Sequence, residues 1–226
     1  MSKLKIEENL KTINDLYWNP WIGESFSNST DKLLIVGESH YADPKNNESI
    51  EKHKNVDFTK KVVSELAIKY LTTDKRSGTL FRNLNLALIG QDSLKMEIRD
   101  EKWNEFAFYN FIQEPMLSIK KRPSKIQVQQ GWKVFIELLS KIEVSKVLVI
   151  GSAVSENYNK YLKELNISFQ PLKVMKVISK AQLHRVLIIE IDGREIEVHF
   201  IKHTSSFFSW KKWNQYFQEI NFFKSK

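Results

Sequence analysis

Apolar residues fall along this chain in two distinct rhythms. In the first they are continuous and short. Lys32-Leu-Leu-Ile-Val-Gly37 and Lys146-Val-Leu-Val-Ile-Gly151 are both apolar runs closed by glycine, the pattern of a strand buried on both faces. Glu105-Phe-Ala-Phe-Tyr-Asn-Phe-Ile112 is aromatic-rich and predicts another strand. In the second rhythm apolar residues recur every three or four positions, as on one helix face. Leu4, Ile6, Leu10, Ile13 and Leu16 do so loosely, and residues 57–71 do so clearly through Phe58, Val62, Val63, Leu66, Ala67 and Tyr70, with Asp57 as the cap. Further helices are predicted over 79–89, stopped by Gly90, over 132–142 and over 155–165. A last one carries Trp210, Trp213, Phe217 and Ile220. Residues 186–191 and 195–201 flank Asp192-Gly193, which supplies the positive φ angles of a tight hairpin turn.

Strands alternating with helices predict an α/β protein with a mostly parallel sheet covered on both faces. No repeat, low-complexity tract or Gly/Ser linker divides residues 1–226, so a single domain is expected. Residues 1–30 are read as an N-terminal helical extension, broken at Trp18-Asn-Pro-Trp-Ile-Gly23 because Pro20 lacks an N–H and biases Asn19 away from helix. Ligands of such sheets bind beyond the carboxyl ends of the strands. The chemistry is therefore sought just after Gly37, Phe111, Gly151 and Ile201.

Composition narrows the classes. There is no cysteine, which excludes disulfides, thiol nucleophiles and cysteine-held zinc or iron–sulfur groups. The five histidines show no ligand spacing, so neither a metal nor another cofactor is expected. A mean hydropathy of −0.40 and the lack of a long apolar run predict no membrane-spanning helix, and the first residues lack a secretory pattern, so a cytoplasmic protein is expected. Lys and Arg number 35 against 27 Asp and Glu, a net charge of +8. Such a balance suits a polyanionic partner, although a generically basic protein carries it equally well.

Three segments concentrate polar chemistry. Gly37-Glu-Ser-His-Tyr41 follows the first buried strand directly. Gly37 permits close backbone approach, Glu38 can act as a base, His40 titrates near neutrality and Tyr41 offers a flat wall. Asn110 embeds one amide in an apolar strand, where it caps local backbone or presents donor and acceptor together to a base edge. His203-Thr-Ser-Ser-Phe-Phe-Ser-Trp210 follows the last strand. Its hydroxyls can meet phosphate or cap the next helix. Phe208 is expected to pack inward, while Phe207 is either core or an exposed wedge that enters a base step. Lys120-Lys-Arg-Pro-Ser-Lys125 is a basic loop, solvated or in contact with phosphate.

In order and spacing these segments resemble the uracil-DNA glycosylase superfamily, in a poorly characterised bacterial form with a Gly-Glu-Ser-His-Tyr first motif. The resemblance runs from about Leu33 to Trp213. It implies a three-layer α/β/α sandwich around a four-stranded, mainly parallel sheet, to which the C-terminal hairpin is an addition. It implies base flipping and cleavage of the N-glycosidic bond of a damaged or deaminated base in DNA. By this likeness Glu38 and His203 are the catalytic candidates. Gly37, Ser39, His40, Tyr41 and Asn110 would bind the base, and Arg122, Ser124, Lys125, Thr204, Ser205, Ser206 and Phe207 would bind DNA. The usual first motif is Gly-Gln-Asp-Pro-Tyr, and Ser39 stands at its aspartate position. A non-catalytic nucleic-acid or nucleotide-binding module on the same fold is therefore the alternative, and a monomer is expected in both cases. A hydrolase using Ser39 with His40 or His203 is a further alternative, but Tyr41 replaces the second glycine of a nucleophile elbow.

Overall fold

The computed structural model describes residues 1–70, 75–118, 120–151, 153–179, 182–205 and 207–223. The chain runs α1 (Lys3–Leu10), β1 (Trp21–Ile22), β2 (Leu33–Gly37), α2 (Asn47–His53), α3 (Phe58–Val62), α4 (Lys75–Leu88) and α5 (Met96–Trp103). It continues through β3 (Phe106–Asn110), α6 (Lys125–Lys141), β4 (Lys146–Ile150) and α7 (Tyr158–Glu164). β5 (Ser168–Phe169), β6 (Lys173–Ser179), β7 (Gln182–Ile191), β8 (Arg194–Ile201) and α8 (Trp210–Glu219) complete it. A π-helical stretch, Val63–Ile68, follows α3.

The architecture is mixed α/β, with one sheet of eight strands. β3, β2, β4 and β8 are neighbours in that order and run parallel. β1 adds antiparallel to β3, and β7 adds antiparallel to β8. β5 and β6 then pair with the far edge of β7. The two-residue strands β1 and β5 and the seven-residue β6 were not expected, and with them the sheet is mixed and eight-stranded rather than four-stranded and mainly parallel. Two-residue pairings such as β1 and β5 leave no periodicity to read, and β6 is exposed along most of its length.

Alternation within the strands builds two cores, because successive side chains point to opposite faces. Leu34, Val36, Ala107, Tyr109, Val147 and Val149 pack with α1, α6 and α7. Leu33, Ile35, Phe106, Phe108, Leu148 and Ile150 pack with the π-helical stretch, α4, α5 and α8. Each such buried aliphatic side chain contributes about 1.5–3 kcal/mol of transfer free energy. In the N-terminal segment, Ile6, Leu10 and Ile13 are buried in the first of these cores.

Local signals account for several boundaries. Gly90, at φ +86°, stands just beyond α4 as a stop. Asp192 and Gly193, at φ +51° and +73°, turn the β7–β8 hairpin. Ser124 caps α6: its Oγ accepts from Gln127 N at 3.2 Å, and Gln127 Oε1 accepts from Ser124 N at 2.7 Å. Such a reciprocal cap stabilises a helix by about 1 kcal/mol. The helix expected over 57–71 is instead split, with α3 passing into the wider π turn. The last residue of that expected helix, Leu71, lies outside the described residues. Among the described residues no helix is long and apolar enough to cross a membrane.

Candidate functional site

The parallel registers bring four strand ends level. Gly37 lies opposite Asn110, Val36 opposite Val149, and Ile150 opposite Ile201. Gly151 N then donates to Ile201 O at 2.9 Å. Glu38, Asn110, Gly151 and His203 are thus delivered to one edge of the sheet by β2, β3, β4 and β8. Strands about 4.8 Å apart make this row on the order of 14 Å long.

The side chains close in over two glycines. A Cβ on Gly37 would stand 2.1 Å from Asn110 Oδ1, so the amide lies directly against the backbone there. Asn110 is only 4% exposed, and its side-chain amide has no hydrogen bond among the described residues. Alanine at Gly37 must therefore displace the amide. Gly37→Ala is expected to cost about 1–3 kcal/mol by overpacking, seen as a lower urea midpoint. An unchanged midpoint would mean that the amide is not seated over Gly37. A Cβ on Gly151, which holds φ +115°, would stand 3.7 Å from both Glu38 Oε2 and His203 Cδ2. The carboxylate and the imidazole are therefore no further apart than twice that distance.

Glu38 is 7% exposed. Its Oε2 accepts from Arg122 Nη2 at 3.1 Å, and its Oε1 accepts from the Tyr41 hydroxyl at 3.4 Å. Burial holds the Tyr41 phenol above its ordinary pKa, the nearby Ser39 hydroxyl opposes this, and the Glu38 carboxylate adds to the rise. Tyr41 therefore remains a protonated donor. The Ser39 Oγ is buried without a well-formed hydrogen bond. No histidine activates it, which removes the main support for a serine nucleophile.

His203 has a defined tautomer. The Ser205 backbone N–H donates to Nδ1 at 3.3 Å, and Ser205 Oγ lies 2.8 Å from the same atom. A backbone amide can only donate, so Nδ1 is the acceptor and Nε2 carries the proton. Burial lowers the His203 pKa, and the Arg122 charge lowers it further. At neutral pH the ring is an uncharged Nε2–H donor.

Other candidates are placed elsewhere. His40 turns away into an aromatic cluster, its centroid 4.9 Å from that of Trp18 and 4.7 Å from that of Phe58, with Nε2 2.9 Å from Thr59 Oγ1. It anchors the turn rather than facing Glu38. Thr204 is fully buried, donating from Oγ1 to Leu80 O at 2.9 Å and accepting at its own carbonyl from Asn83 Nδ2 at 2.7 Å. It ties the His203 loop to α4 and has no surface for phosphate. Ser205 is the partner of His203, and Ser124 is a helix cap. Lys125 is exposed at the start of α6, beside the basic residues 120–122. Ser206 lies outside the described residues.

The two adjacent phenylalanines separate. Phe208 stacks on Trp213 with centroids 5.8 Å apart, whereas Phe207 is 89% exposed at φ +48°. A left-handed backbone costs a bulky residue about 1–2 kcal/mol, and strain of this kind clusters at functional sites. Lys202 Nζ lies 5.6 Å from the Phe207 ring centroid. Leu117 and Ile126, also exposed, flank the connection that carries Arg122. Sequence reasoning singled out neither of them; it placed Arg122 among the DNA contacts but not beside Glu38, and Gly151 at a strand end but not beneath the carboxylate and imidazole. For Gly151 there was a signal, since its strand repeats the apolar-run-then-glycine pattern of β2.

A cavity of about 490 Å³, lined by Lys32, Ser145, Asp192 and Arg194 among others, opens at the opposite end of the sheet. It touches neither Glu38 nor His203. Among the described residues no cluster of three or more His, Asp or Glu is placed to hold a metal. No protein-family model matches the chain, and no curated protein gives a significant match.

Proposed function

We propose that this chain is a DNA-binding protein of the uracil-DNA glycosylase type, which takes a flipped base at the strand ends and hydrolyses its N-glycosidic bond. The observation that carries the reading is the convergence of Glu38 and the neutral His203 over Gly151. Four parallel strands with a core on each face support the three-layer sandwich of that superfamily, extended at both edges by antiparallel strands.

In this reading, the bond between C1′ and the base nitrogen breaks mainly by departure. The base keeps the electron pair and leaves as an anion, while the sugar becomes cationic. His203 Nε2–H donates to the base carbonyl oxygen as negative charge develops there. Glu38 faces the sugar, stabilises the cation and orients the water that adds hydroxide to C1′. The remaining proton of that water passes to Glu38 or to the departing base. Asn110, with its amide free, reads the base edge, and Tyr41 forms the wall. Phe207 fills the stack left by the flipped nucleotide.

The test is base release from oligonucleotides containing uracil, hypoxanthine or xanthine, with the free base identified by mass spectrometry. Release from one of them is expected. The engagement of Glu38 by Arg122, together with serine at the usual aspartate position, favours the second reading, a binding module without hydrolysis. That module would release no base and would still bind DNA in a salt-dependent way after Glu38→Ala.

A further inference from the structure

The ion pair between Glu38 and Arg122 joins two residues with opposite surroundings. The Glu38 side chain is 7% exposed, whereas that of Arg122 is 66% exposed, and Nη2 lies 3.1 Å from Oε2. Among the described residues Arg122 is the only cation within ion-pair distance of Glu38. The carboxylate thus depends on a partner that is mostly in water. The backbone of Arg122 is held two residues before the Ser124 cap of α6, while its side chain bridges across to a different strand end. It lies in the basic run 120–125, on the same edge of the sheet as Phe207. A guanidinium so placed can exchange one oxyanion for another, because phosphate accepts the same paired N–H bonds as carboxylate.

We infer that Arg122 is a transferable counter-ion: it neutralises Glu38 in the free protein and passes to a DNA backbone phosphate when the strand seats, leaving the carboxylate unpaired beside the sugar. This rests on the reading of the site as a DNA-base pocket, and it specifies how that pocket is regulated. In the free protein the pair keeps a buried carboxylate from standing alone, which is costly. In the complex, a carboxylate stripped of its partner in a dry site attracts a developing cation far more strongly than a neutralised one does. Arg122 is then a positioning residue that reports the presence of the strand to Glu38.

The test is a double-mutant cycle on binding alone. Wild type, Glu38→Gln, Arg122→Gln and the double variant are titrated with an oligonucleotide carrying a tetrahydrofuran abasic analogue, which has no bond to cleave. Salt is varied between about 50 and 200 mM. Arg122→Gln is expected to weaken binding and to reduce the slope of log K against log salt by about one. Arg122→Lys, which keeps the charge, is expected to retain the slope. Glu38→Gln, by freeing the guanidinium, is expected to tighten binding several-fold in the wild type and by no more than about twofold in the Arg122→Gln background. Circular dichroism melts of all variants verify that they fold. An equal gain from Glu38→Gln in both backgrounds, or a slope unchanged by Arg122→Gln, overturns the transfer. Absence of base release in the separate assay would leave this result standing, whereas absence of DNA binding by the wild type would overturn both.

Discussion

Under the proposed hydrolysis, His203→Ala is expected to slow base release by about 10²–10³-fold while leaving DNA affinity within a few-fold of wild type. Among the described residues the hydrogen bonds of the His203 side chain are those to Ser205, and the variant is expected to melt near the wild-type temperature. The loss should appear in the single-turnover rate rather than in binding, because the Nε2–H bond strengthens only as the base oxygen gains charge. A variant releasing base at the wild-type rate would remove His203 from the mechanism. Ser205→Ala should act in the same direction more weakly, since the backbone N–H still fixes the tautomer.

The second large effect is acid lability. Burial, and next to it the neighbouring His53, lowers the His40 pKa to about 3. Burial, and then His199, lowers that of His184 to about 3 as well. Unfolded histidine titrates near 6.5. Below that value the unfolded chain binds protons that the native rings refuse, so stability is complete above about pH 6.5 and falls as pH drops toward 3. Each group removes about 1.4 kcal/mol per pH unit within this window, so the pair removes about 5 kcal/mol over two units. That is comparable to the whole stability of many domains. Urea unfolding at pH 7 and pH 4.5 should show this loss, and His184→Gln should reduce its slope by about half. Equal stability at the two pH values would contradict it. The environment of His184 explains why protonation is refused. Its Nδ1 lies 2.9 Å from the Tyr216 hydroxyl and its Nε2 2.9 Å from His199 Nδ1, and His199 Nε2 lies 3.1 Å from Glu197 Oε2. The row runs through the buried space between β7, β8 and α8, and it is this loss of water around His184, with His199 beside it, that disfavours the added charge.

The long elements were legible because they bury regular stripes. β2, β4 and the β7–β8 hairpin lie within a few residues of their expected positions. The strand ends after Gly37 and Ile201 do carry gathered side chains, Glu38 and His203, and Gly151 lies beneath them as bare backbone. What periodicity could not give was direction within a turn. Glu38 and His40 are two residues apart in one polar motif, yet one faces Arg122 and the other Trp18 and Phe58. Phe208 packs inward against Trp213 as its sequence neighbourhood suggested, while the choice left open for Phe207 between core and exposed wedge falls to exposure, at a positive φ. Thr204 reads as a surface hydroxyl and is locked beneath α4. The Arg122–Glu38 pair spans 84 positions, and no local pattern encodes it.

The opposed orientations within the Gly37–Tyr41 turn constrain how it can change over time. The carboxylate and the ring of residue 40 occupy separate compartments, one open toward the strand ends and one sealed by indole and phenyl groups. Inserting or deleting a single amino acid would rotate the following side chains out of their niches, driving a charge into grease or an imidazole into the mouth. The stretch should therefore tolerate substitution at constant length far better than insertion or deletion.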